Sequence, residues 1–326
     1  MKKVVAEKIG SLDDYAIVDT DRPAPGEGQV LIRVHACSMG YVDALVASGL
    51  YQVKPPVPFT PGQEISGTIE ETGTGVTHLK AGDRVMASAF GGGLSEYLSV
   101  AADAVRTLPA GISFEQASVL GINYLTALTA LRDRANIQQG ERLLVFGAAG
   151  GVGCAAVQLG RLMGANVIAA ASTEEKRTFA LSQGANDVID TNEVDWRVRL
   201  KQICGGNGPD VIFDPVCGPL FEPAFRSLAW RGRHLVVGFA GGSIPKLPTN
   251  LTIMKGASLI GVDVRQLLIF ESKHASDLMS QLLKWVGDGS LTPPVGQVFP
   301  FADFADAMKF AMSGKGMAKS VIRIST

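Results

Sequence analysis

Up to about residue 120 the apolar positions fall in short runs of β type, VLIRVHA, EISGTIEETG, DRVMASA and SEYLSV, broken by clusters of Gly, Pro and Asp. Short strands between turn residues predict an antiparallel, barrel-like β domain. Within it Pro55, Pro56, Pro58 and Pro61 crowd the stretch PPVPFTPGQE. A segment missing so many backbone donors reads as a stiff loop suited to forming a site wall.

After Ile112 the period changes. SFEQASVLGINYLTALTALRDRA carries apolar residues at helical spacing, with Ser113 placed as an N-cap and Gln116 three residues on. Strand-like LLVFG, NVIAAA, DVIFDPV and HLVVGF then alternate with helical CAAVQLGRLMG, EEKRTFALSQG and PLFEPAFRSLAW. Such alternation predicts a parallel sheet with helices on both faces, an α/β domain. From about Gly261 come two amphipathic helices, ASDLMSQLLKWVGDG and one around FADFADAMKFAMSG, and a last strand, SVIRIS, which read as a return to the first domain. The expected division is residues 1–122 with 261–326 as one domain and 123–260 as the other. A chain of 326 residues exceeds what one hydrophobic core usually supports.

Composition narrows the partners. Hydrophobic residues make up 46%, charged residues 19%, and the formal net charge is −1, which provides no field drawing the chain to nucleic acid or an anionic membrane. No run approaches the roughly 18 apolar residues of a spanning helix, and the start MKKVVAEKIG reaches Glu7 and Lys8 before an apolar stretch can form. The four cysteines are scattered without a CxxC pair, as expected of reduced core thiols in a cytoplasmic protein.

The strongest chemical signal is LLVFGAAGGVGCAAVQLGRLMGANVIAAAS, a buried strand, a glycine-rich turn, a helix and a second strand. In this βαβ context the glycines form a dinucleotide fingerprint. Its six positions are Ala148, Ala149, Gly150, Gly151, Val152 and Gly153, after Gly147. Gly150 still allows close approach of a pyrophosphate and Gly153 close packing of helix on strand, with the helix N-terminal amides left to hold the diphosphate. Ala149, Gly150, Gly151 and Val152 are the candidate contacts. At the end of the second strand an NAD-binding protein presents Asp or Glu to the ribose. Here Ala171 and Ser172 stand there, with Lys176 and Arg177 following. A hydroxyl and two positive charges suit a 2′-phosphate, so the cofactor expected is NADPH. The alternative for Lys176 and Arg177 is a solvated helix face.

These motifs, with VDALVASGLY, PFTPGQEISGTI, AGDRV, LPAGISFEQAS, LTALTAL, GANDVID, DVIFDPVCG and LVVGFAGG, resemble the zinc-independent quinone oxidoreductase branch of the medium-chain dehydrogenase/reductase superfamily over essentially the whole chain. The resemblance implies a GroES-like β-barrel domain with a Rossmann domain inserted before the C-terminal return. It implies hydride transfer from NADPH to a quinone or α,β-unsaturated carbonyl. Zinc-dependent members carry Cys where Gly40 stands and His where Gln63 stands, so no metal is expected; many quinone reductases have Asn at the position of Gly40. Without a Lewis acid, a conjugated acceptor that places charge on its own oxygen is the fitting substrate.

Tyr51, at a position where similar reductases have a tyrosine near the nicotinamide, and Tyr41, ahead of Asp43, are the candidate donors; each could instead be only a pocket-lining aromatic. Thr126 resembles the family threonine facing the nicotinamide. Gly238, Phe239 and Ala240 are expected at a sheet edge where ligands of such folds bind, Val262 and Asp263 at the next strand, and Asn192 on the adenosine side. Asp214 reads as a turn residue rather than an acid. The resemblance also implies a homodimer. An enoyl-thioester reductase and a non-catalytic NADPH-binding sensor or structural protein remain as alternative functions.

Overall fold

The computed structural model describes residues 1–325. The chain forms two compact units, one of Met1–Ile122 with Leu283–Thr326 and one of Asn123–Leu282.

The first unit begins with an antiparallel ribbon of β1 (Lys2–Val5) and β2 (Ala16–Asp19). Next come β3 (Gln29–Met39), α1 (Tyr41–Ala47), β4 (Glu64–Thr72), β5 (Arg84–Ser88), β6 (Tyr97–Ala101), β7 (Val105–Thr107) and α2 (Phe114–Leu128), whose residues from Asn123 on fall in the second unit. β3 organises the sheet. Its first half pairs with β6 and its last residues pair with a C-terminal strand, while β4 follows it throughout. A register shift between Val34 and Ala36 explains the change of partner: Val30, Ile32 and Val34 enter the core before it, Cys37 and Met39 after it. One extra residue has moved the inward face by one position. The expected N-cap of α2 is present as a reciprocal pair, Gln116 N donating to Ser113 Oγ (3.1 Å) and Ser113 N to Gln116 Oε1 (3.2 Å).

The second unit alternates β8 (Arg142–Phe146), α3 (Gly151–Leu162), β9 (Asn166–Ala171), α4 (Glu174–Ser182), β10 (Asp187–Asp190), α5 (Trp196–Ile203), β11 (Val211–Asp214), α6 (Phe221–Ser227), β12 (Arg233–Val236), α7 (Asn250–Lys255) and β13 (Ser258–Gly261), then α8 (Val264–Phe270) and α9 (Ser272–Gly287). The strands are parallel in the order β10-β9-β8-β11-β12-β13. Leu144, Phe146, Ile168 and Ala170 are buried on one face, and Leu143, Val145, Val167 and Ala169, which alternate with them, are equally buried. Burial on both faces explains why these strands read as continuous apolar runs. The strand order reverses direction between β8 and β11, the switch point at which such sheets bind ligands.

The chain returns to the first unit at Leu283, not at the expected residue 261. β13 pairs with β12, Arg134 Nε donates to Gly261 O (3.2 Å), and His274 Nε2 lies 2.9 Å from Asp133 Oδ2, so the segment through Leu282 belongs to the second unit. β14 (Val295–Pro300), α10 (Phe304–Met312) and β15 (Lys319–Arg323) then complete the first, with β15 between β14 and β3. No helix among the described residues is long and apolar enough to cross a membrane.

Candidate nucleotide site and acidic locus

At the end of β8 the chain turns through Gly147, whose φ of +58° lies in the left-handed region. Gly150 N donates to Gly147 O (2.9 Å), and Gly150 is the N-cap of α3 with no side chain capping the helix start. Helix and turn touch closely: a Cβ on Gly153 would stand 2.2 Å from Gly147 O. The uncapped first turn of α3, at the C-terminal end of a parallel strand, fits a diphosphate through its backbone donors. Ala149 is buried in the turn, and Gly151 and Val152 open the helix.

The segments following β11 and β12 join this turn. Ala240 N donates to Pro215 O (3.2 Å) and Gly241 N to Val216 O (2.8 Å); a Cβ on Gly147 would meet Val216 Cγ2 at 3.1 Å. Gly238, Phe239 and Ala240 are thus brought to the glycine-rich turn, with Phe239 and Ala240 exposed. Val262 N pairs with Val236 O (3.0 Å) beside them. Asp263 is engaged elsewhere, since its carboxylate caps α8, accepting from Arg265 N and Gln266 N. Thr126 is buried on α2, a separate element.

At the ends of β9 and β10, Ser172, Arg177, Asp190 and Asn192 converge. Asn192 Nδ2 donates to Ser172 O (2.7 Å), and Arg177 Nη1 lies 2.8 Å from Asp190 Oδ2 and 3.3 Å from Ala171 O. Arg177 is therefore held across the strand end by a carboxylate, rather than spread on a solvated helix face. Lys176 shares the first turn of α4. Asp190, the last residue of the GANDVID run, was not among the expected site residues.

In the first unit Tyr41 opens α1 and Tyr51 packs against the barrel core, both half-buried. Asp43 Oδ2 accepts from Gly40 N (2.9 Å) and Oδ1 from Gln63 N (3.1 Å), which joins the start of α1 to the loop before β4. Glu64 Oε1 accepts from Ile122 N (2.6 Å), and Glu64 Oε2 pairs with Lys319 Nζ, which also lies 3.9 Å from Asp43 Oδ2. All three ionisable groups are buried. Burial alone would push the Lys319 ammonium down, but the Glu64 and Asp43 carboxylates more than reverse this and raise it above the ordinary lysine value. Burial, then the Asp43 charge, pushes the neighbouring Cys37 thiol well above its usual range. The sequence singles out Gly40 and Gln63 but not Lys319, whose only local signal is a charge at the head of an apolar strand. Among the described residues no group of three or more His, Cys, Asp or Glu is placed to hold a metal ion.

A two-unit chain with a GroES-like sheet and a parallel nucleotide-binding sheet defines a class of oxidoreductases, and the comparisons agree. Residues 26–110 match the alcohol dehydrogenase GroES-like domain and residues 151–285 the zinc-binding dehydrogenase family. The mouse quinone oxidoreductase-like protein 2 is 36% identical over 304 residues, covering 93% of this chain and 87% of the mouse protein. Human quinone oxidoreductase is 35% identical over 301 residues, covering 92% and 90%. The crystal structure of Escherichia coli quinone oxidoreductase complexed with NADPH superposes with a TM-score of 0.90 at 28% identity, covering 99% of this chain and 100% of that one. The chain belongs to the medium-chain dehydrogenase/reductase superfamily, in its quinone oxidoreductase branch.

Proposed function

We propose that this oxidoreductase transfers hydride from NADPH to a quinone or α,β-unsaturated carbonyl without a metal. The observation that carries the cofactor choice is the end of β9, where Ala171 and Ser172 replace an acid and Arg177 lies across the strand. The α3 amides with Gly150, Gly151 and Val152 hold the diphosphate; Ser172, Lys176 and Arg177 hold the 2′-phosphate, with Asn192 bracing Ser172. Gly238, Phe239 and Ala240 border the nicotinamide side, with Val262 at its rim and Thr126 facing it. Bound there, NADPH supplies the hydride. Tyr41 or Tyr51 donates a hydrogen bond or proton to the oxygen that gains charge. Gly40 and Gln63 offer no metal-ligating side chain, and Asp43 and Glu64 are engaged by Lys319 and backbone amides.

Turnover of 9,10-phenanthrenequinone, an alkenal and crotonyl-CoA with NADPH tests this reading. Quinone or alkenal reduction is expected. A strong preference for the thioester, or tight NADPH binding with no oxidation by any acceptor, overturns it.

The protein is further proposed to act as a homodimer through β13. This strand ends the parallel sheet, and Trp230, Ile253, Met254 and Leu259 of the same unit are exposed large apolar side chains that a second copy would cover. Light scattering on the eluted protein should give twice the chain mass.

A further inference from the structure

We propose that Lys319 is a positioning residue, the cation that pairs Glu64 and Asp43 in the space Gly40 leaves open and thereby fixes Tyr41 at the start of α1. The catalytic part rests on the role given to Tyr41 above; the electrostatic part stands without it.

Three observations carry the inference. Lys319 is 8% exposed, Asp43 5% and Glu64 1%, so charges here must be answered locally. Each of the four carboxylate oxygens has a partner, three of them backbone amides of Gly40, Gln63 and Ile122, and the fourth the Lys319 ammonium. Among the described residues Lys319 is the one side-chain cation paired with either acid. Finally, a Cβ on residue 40 would stand 2.9 Å from Lys319 Cε and 3.3 Å from Asp43 Oδ2. A side chain at position 40 and the lysine stem compete for one volume. At the locus where zinc-dependent relatives place a ligating cysteine, the end of the Lys319 side chain takes up the space beside Gly40, and a side chain at position 40 would make the lysine shift.

The consequence is a fixed geometry. Asp43 ties Gly40 to Gln63, so whatever holds Asp43 in place also holds the first turn of α1 against the loop before β4. The charged groups facing Glu64 are Lys319 from β15 and Asp43 from α1, with the Cys37 thiol from β3; α2 contributes the Ile122 amide.

Lys319→Met keeps the stem and removes the charge. A buried carboxyl deprived of its cation retains a proton in the folded chain, so the deficit in Tm against the native protein should grow by roughly 5 °C between about pH 6 and about pH 8.5. In Lys319→Met/Glu64→Gln that growth should vanish. For turnover, kcat should fall at least about tenfold while KM for NADPH stays within about twofold. A Tm deficit independent of pH, or one that Glu64→Gln leaves unchanged, overturns the proposal. So does a raised KM for NADPH at native kcat, which would make Lys319 a nucleotide ligand. If Lys319→Met does not fold, Gly40→Ala carries the test: its methyl displaces the lysine without removing any charge and should reproduce both effects at smaller size, and native behaviour at every pH overturns the idea. The Tm measurements need no substrate, so failure of the oxidoreductase reading and failure of this one are seen separately.

Discussion

Asp214 Oδ2 lies 3.1 Å from His234 Nε2, while its Oδ1 accepts the amides of Val216 (3.0 Å) and Cys217 (2.7 Å). One buried carboxylate thus joins β11 to β12 and shapes the loop to which Ala240 and Gly241 are bonded. Phe221 and Phe225 enclose the imidazole, at 4.7 and 6.1 Å between ring centroids. The acid has a structural use, as its place in a strand-to-turn sequence suggests. Asp214→Ala is expected to cost about 3–5 kcal/mol in urea unfolding, and Asp214→Asn, which retains an acceptor for the two amides, about 1–2 kcal/mol.

Gly153→Ala puts a methyl into Gly147 O. The helix must back away from the strand, at about 1–3 kcal/mol. The same shift misaligns the amides of the first turn, so Kd for NADPH by fluorescence titration should rise roughly tenfold or more. Gly150→Ala, whose nearest neighbour would be Gly147 O at 3.3 Å, should be the milder change.

Arg177 and Asp190 should move cofactor choice in opposite directions. Arg177→Ala removes the guanidinium proposed to hold the 2′-phosphate and should raise KM for NADPH roughly tenfold, with little change for NADH. Asp190→Asn frees Arg177 and removes a nearby negative charge, so the preference for NADPH should increase by a few-fold or more. A fall in that preference would mean that Asp190 serves to aim the arginine.

Arg142 grips Asp210 through Nε (2.9 Å), Nη2 (2.8 Å) and its backbone N (2.9 Å), between the starts of β8 and β11. Burial would raise the Asp210 carboxyl, but the arginine contacts outweigh it and lower it. A carboxyl that ionises more easily in the folded chain stabilises it above the unfolded value near pH 4 and loses that contribution as pH falls through the folded value. Asp210→Asn should therefore cost about 1–2 kcal/mol at neutral pH, and its gap from the native protein should close below about pH 4.

The two architectures were legible because each writes its own pattern into the chain: short β-type runs broken by turn residues in the first unit, and apolar strands alternating with helices in the second. The GAAGGVG turn was legible because its chemistry is local. Contacts made across long separations were not. Lys319 and Glu64 are 255 residues apart, and nothing near either one names the other. Arg177 was visible as a charge, but its pairing with Asp190 depends on β9 and β10 lying side by side. The amphipathic helices and the strand SVIRIS point to a return from about residue 261, whereas the pairing of β13 with β12 keeps that point in the second unit.

β15 sits inside its sheet, between β14 and β3, with Arg323 opposite Ala36. The second unit is one uninterrupted stretch and can close its sheet as soon as it leaves the ribosome. The first waits, with the last half of β3 unpaired on that side, until β15 is made. Its sheet is thus completed by inserting an interior strand, and a chain cut before Lys319 would lose an inner strand where most truncations lose a margin.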